Sequence, residues 1–111
     1  MDIGALEQKV LFAVVALHPD AYGVSIQDHI QRRTNKEPSI GSIYAALERL
    51  EEKRFVKSRE GEPTATRGGR RKLHFIVTAT GERVLRESWT ELRSLQRDLR
   101  WVHASVWGAF A

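Results

Sequence analysis

A chain of 111 residues has the length of one ordinary domain, with room for a single core and one extra element. Its 41% hydrophobic and 29% charged residues make a globular composition rather than a disordered one, and no stretch approaches the roughly 18 apolar residues that cross a bilayer. The lack of cysteine excludes disulfides, thiolate metal sites and a cysteine nucleophile and fits a reducing cytoplasm; a net charge of +4 permits a polyanionic partner without identifying one.

In chain order, Gly4 to Leu17 places Leu6, Val10, Leu11, Ala13, Val14 and Leu17 at spacings of three and four before His18-Pro19-Asp20 stops the pattern. It has neither a basic leader nor a cleavage pattern, so it is expected to be a core helix. A shorter, half-exposed helix is predicted from Ser25 to Thr34, punctuated by Val24, Ile26 and Ile30, with a short strand near Gly23 to Ser25. After the turn Asn35 to Pro38, Ser39 is placed to cap a third helix running through Lys53. Ile40, Ile43, Leu47 and Leu50 are expected to face inward, leaving Ser39, Ser42, Ala45, Ala46 and Arg49 outward. Phe55 to Arg59 and Leu73 to Thr78 then read as the strands of a hairpin with a long tip. That region concentrates the charge: between residues 53 and 72, eight lysines and arginines stand against Glu60 and Glu62 alone.

Thr78 or Thr80 can cap a last helix from about Gly81 to Trp107. Leu85, Leu92, Leu99 and Val106 recur every seven residues, with Leu95 and Val102 between them, which is a heptad seam long enough to need a partner helix. Three helices, a hairpin and a long helix form an α+β, mostly α fold: a winged helix-turn-helix over residues 1–78, and a C-terminal dimerisation helix over residues 79–111. The small residues opening the third helix leave it thin enough for a major groove.

The segments LEQKVLFAVVAL, DAYGVSIQDHI, PSIGSIYAALERLEEKRFVKSR and GEPTATRGGRRKLHFIVTATGERVL together resemble PadR-type transcriptional regulators of the short class with one C-terminal helix. The resemblance runs nearly end to end. It implies a homodimer that represses its promoter and is released when a small molecule or stress signal alters the dimer. Arg54 and Phe55 depart from it, standing where such proteins commonly carry glycine and leucine, and a left-handed backbone at Arg54 would be costly.

In that frame the partner is double-stranded DNA bearing a pseudo-palindromic operator. Arg67, Arg70, Arg71 and Lys72 flank Gly68-Gly69 on the wing and are the first phosphate candidates, against the alternative of a solvated basic loop. On the third helix Ser39, Ser42, Tyr44 and Arg49 are candidate contacts, although capping alone accounts for Ser39 and partial core packing is an alternative for Tyr44. Glu48, Glu51 and Glu52 should turn away to pair with Lys53, Arg49 or Arg32, and Ser25, Gln27 and Arg33 are weaker phosphate candidates.

The dimer interface is expected to use Leu85, Trp89, Leu92, Leu95, Leu99, Val102 and Val106. Trp89 and Trp101 are candidates to hold a planar hydrophobic effector between subunits, an idea that rests mainly on the resemblance. Four scattered histidines lack metal or nucleophile–base spacing, and Gly61 to Gly69 lacks the Gly-Lys-Ser/Thr ending of a phosphate loop, so no cofactor, metal or catalysis is expected. The competing possibility is a winged-helix module that binds protein and not DNA.

Overall fold

The computed structural model describes residues 3–63 and 71–102, with side chains at 3–60, 73–97 and 99. The elements run α1 (Ala5–Leu17), α2 (Gly23–Thr34), α3 (Ile40–Glu52), β1 (Val56–Pro63), β2 (Arg71–Val77) and α4 (Ala79–Val102). β1 and β2 pair antiparallel, Val56 opposite Val77 and Glu60 opposite Leu73, with an irregularity between Glu60 and Pro63.

One core joins all the elements. Val10, Leu11, Ala13 and Val14 of α1, Ile26 and Ile30 of α2, and Ile43, Ala46, Leu47 and Leu50 of α3 bury against Phe55, Val56 and Phe75, and Val84 and Leu85 close it from α4. Leu85, expected at a dimer interface, is thus occupied in the core of its own chain.

α2 begins two residues earlier than the pattern suggests, because Ser25 works as an N-terminal brace. Its hydroxyl accepts from the Tyr22 amide at 2.9 Å and donates to the Asp20 carbonyl at 2.7 Å. Gly23 to Ser25 is therefore helix, not strand. Here the sheet is bonded beyond its two strands by the Phe75 amide, which donates to the Ala21 carbonyl at 2.8 Å.

α3 ends in a paired C-terminal motif. The Arg54 amide donates to the Glu51 carbonyl and that of Phe55 to the Leu50 carbonyl, both at 2.9 Å, while Arg54 adopts the left-handed φ of 63°. The glycine-type turn is retained without glycine. Phe55 and Leu50, at 1% and 0% exposure, supply the apolar contact that usually accompanies it. Thr78, not Thr80, caps α4: its hydroxyl accepts from the Gly81 amide at 3.0 Å and donates to the Arg54 carbonyl at 2.7 Å. This draws α4 so close to the Phe55 backbone that a Cβ on Gly81 would lie 2.1 Å from the Phe55 carbonyl oxygen.

Candidate nucleic-acid interface

α3 is locked on one side and open on the other. Ile43, Ala46, Leu47 and Leu50 follow the i, i+3, i+4, i+7 rule and are exposed by 0–1%. Two expected orientations are thereby exchanged: Ala46 is buried, whereas Ile40 is 38% exposed. The reason is helical phase. Ala46 sits one turn before Leu50 on the core stripe, while Ile40, at the first residue of the helix, overhangs the end of the core. Gly41, Ser42 and Tyr44 are exposed on the outer side and Ala45 is half-buried.

The two serine candidates bond each other. Ser39 Oγ accepts from the Ser42 amide at 3.1 Å, and the two hydroxyls lie 2.8 Å apart. Tyr44, 47% exposed, lays its ring across the start of α2, where a Cβ on Gly23 would come within 2.5 Å of its Cζ and Oη. It is neither core nor free surface.

Arg49 is anchored from behind. Its Nε donates to Glu7 Oε1 at 2.9 Å, and Lys53 Nζ donates to Glu7 Oε2 at 2.8 Å. Glu7, a residue the sequence pattern did not single out, is 5% exposed. Burial pushes its carboxyl up, but hydrogen bonds from Lys53, Gly4 and Arg49 and the Lys53 charge together outweigh this and hold its pKa below the usual carboxylate range. The spacing Glu7 to Val10 to Leu11 puts it on the buried face of α1, and that was the available signal.

The acidic residues of α3 do not pair as expected. Glu51 accepts from the Ser58 hydroxyl at 2.7 Å and its amide at 3.2 Å, tying α3 to β1, and Arg32 pairs with Asp28 instead. Glu48 and Glu52 are exposed and make no ion pair among the described residues. Gln27 is also engaged internally, donating to the Pro38 carbonyl at 2.9 Å, while Arg33 is exposed.

On the hairpin, Lys57 and Arg59 are exposed on one face of β1, alternating with buried Val56 and half-buried Ser58. Both belong to the basic cluster of residues 53–72, and the alternation of β1 was the signal that puts them on its outer face. Arg67, Gly68, Gly69 and Arg70 lie outside the described residues, as do the side chains of Arg71 and Lys72.

Along α4, Trp89, Leu92, Leu95 and Leu99 are exposed by 46%, 45%, 66% and 58%. Arg93 stacks over the Trp89 ring at 4.7 Å from its centroid. The side chains of Trp101 and Val102, and Val106 altogether, lie outside the described residues. Gln8 Nε2 donates to Ser88 Oγ at 2.6 Å, fastening α4 to α1. Among the described residues no group of three or more His, Asp or Glu is arranged to hold a metal ion.

The model of the transcriptional regulator PadR-like family matches residues 11–87. Among solved structures, the chain is similar to a transcriptional regulator from Clostridium thermocellum at a TM-score of 0.68 and 22% identity, covering 86% of this chain and 89% of that one. A Streptococcus transcriptional regulator gives 0.70 at 20% identity over 87% and 90%. Bacillus subtilis PadR in complex with operator DNA gives 0.65 at 17% identity, covering 78% of this chain and 47% of that one. No curated protein matches the chain.

Proposed function

The chain belongs to the transcriptional regulator PadR-like family, and from that premise we propose that it binds double-stranded DNA sequence-specifically as a homodimer, represses transcription in the cytoplasm, and has no catalytic role. The observation that carries this is the outer face of α3. Gly41, Ser42 and Tyr44 stand exposed on a helix whose opposite stripe is immobilised in the core, beside a strand presenting Lys57 and Arg59. Such a helix can enter a major groove while the hairpin neutralises phosphate. The likeness to a regulator solved with operator DNA supports the same geometry. Residues 1–78 are assigned to DNA and 79–111 to dimerisation. The basic tip from Arg67 to Lys72 is assigned to phosphate or to a narrow minor groove. Release by a planar hydrophobic effector at Trp89 and Trp101 belongs to the same proposal, and on one face of the Trp89 ring such a ligand competes with Arg93. Among the described residues no helix is long and apolar enough to cross a membrane.

Binding to random duplex across a salt series tests the central claim. A DNA-binding protein is expected to lose affinity steeply, with a log–log slope of several released counterions; a slope near zero overturns it in favour of a protein-binding module. Duplexes selected from a random library are expected to be two-fold symmetric.

A further inference from the structure

The two serines expected to read bases bond each other, and beside them the start of the recognition helix also turns apolar side chains outward. Ser39 and Ser42 close a cap on each other. Ile40 is 38% exposed, and Tyr44, four residues on and so on the same face of α3, is 47% exposed. Val24, 58% exposed, adjoins Gly23, the residue on which the Tyr44 ring lies.

Single exposed apolar residues are ordinary. Val24 and Ile40 lie in the first turns of α2 and α3, with Tyr44 one turn on, and neither first turn carries an acidic residue, whereas those of α1 and α4 carry Glu7 and Glu82. Apolar side chains at helix starts without first-turn carboxylates, in a domain whose β1 presents Lys57 and Arg59, fit a polyanion that offers apolar groups in its groove. In duplex DNA that group is the thymine 5-methyl, which projects into the major groove.

We propose that Ile40, flanked by Tyr44 and Val24, recognises thymine methyl groups, so that each half-site is specified by apolar contact at one or two T·A pairs. This inference rests on the DNA-binding reading above. It makes Ile40, which overhangs the end of the core, a specificity-determining residue.

The test replaces each T·A of the selected operator with deoxyuridine·A, one pair at a time, which removes the methyl and preserves pairing. Wild type is expected to lose about fourfold in affinity at one or two positions per half-site, the worth of one buried methyl. Ile40→Ala is expected to bind the thymine operator about that much more weakly and to be indifferent to uracil at those positions, while Ile40→Val retains the discrimination. Thermal melts of both variants verify folding, and Ile40→Ser replaces the alanine variant should that one melt early. Equal wild-type affinity for thymine and uracil at every position overturns the inference, as does an alanine variant that keeps the full uracil penalty. A protein that selects no duplex fails the DNA-binding reading itself and this inference with it; one that selects a site but ignores uracil overturns this inference alone.

Discussion

Arg49 of α3 and Lys53, which follows it, converge on the single carboxylate of Glu7, which also accepts the Gly4 amide at 3.2 Å. A buried acid with three donors is stabilising only while it is charged, since the protonated form leaves two cations without a counter-charge. The folded-state pKa is lowered from 4.5. Its contribution is therefore complete above about pH 4.5 and is lost as pH falls through the lowered value. Arg49 and Lys53 side chains are 51% and 31% exposed, and water screens part of the attraction. Glu7→Gln is expected to cost about 2 kcal/mol at pH 7, the scale of a charged hydrogen bond, and to flatten the acid limb of the stability curve below pH 4.5. Urea unfolding of both proteins from pH 7 to pH 3 checks this; parallel curves would show that the carboxylate is inert. Because Arg49 is held against α1 in this way, its Nε is unavailable to DNA.

Among the described glycines, Gly81 at the start of α4 is the least tolerant of added bulk. Alanine at Gly81 gains about 1 kcal/mol of helix propensity. Its Cβ, however, would lie 2.1 Å from the Phe55 carbonyl oxygen, a backbone atom held at 2.9 Å by the Thr78 amide, and cannot be accommodated by a side-chain rotation. Overpacking against rigid structure costs up to about 3 kcal/mol, so Gly81→Ala is expected to destabilise by about 2 kcal/mol net, measured by thermal or urea unfolding. The elements themselves were legible because their periodicities are strong: Val10, Leu11 and Val14, or Ile43, Leu47 and Leu50, admit only a helix with that face inward. Phase at the helix ends was not. Ile40 extends the apolar series by spacing yet lies beyond the core that would cover it, and no pattern within α3 marks where that core stops. The turn at Arg54 was legible only as a conflict between propensity and fold, which tertiary structure resolves: the buried Leu50–Phe55 pair and two backbone bonds offset a left-handed arginine costing about 1–2 kcal/mol. The bond between the Ser39 and Ser42 hydroxyls was not legible either, since spacing marks a cap but not which side chains meet across it.

At the scale of the whole molecule, α4 divides its apolar residues between two duties. Val84 and Leu85 are 9% and 7% exposed and belong to the chain's own core, whereas Trp89, Leu92, Leu95 and Leu99 stand 45–66% exposed along the continuation of the same helix. The heptad spacing carried both duties in one series, so the sequence could not say where the core ends and the seam begins. The change falls between Leu85 and Trp89, next to the Gln8–Ser88 bond that fastens α4 to α1. A helix projecting such a stripe is soluble at working concentration when a second copy covers it. Leu95, the most exposed of the four, separates association from folding. Leu95→Glu removes nothing from the core, so the single chain is expected to remain folded, with its circular dichroism unchanged, while its mass by sedimentation falls to that of a monomer. Binding of two half-sites then loses its linkage, and operator affinity is expected to fall by about 10²-fold or more, the scale of a lost bivalent contact. The melting temperature of wild type is expected to rise with protein concentration and that of the variant to stay fixed, because only the former couples folding to assembly. A variant that keeps the wild-type mass, or a wild type that already sediments as a monomer, would remove the second copy from α4 and leave the exposed seam to some other partner.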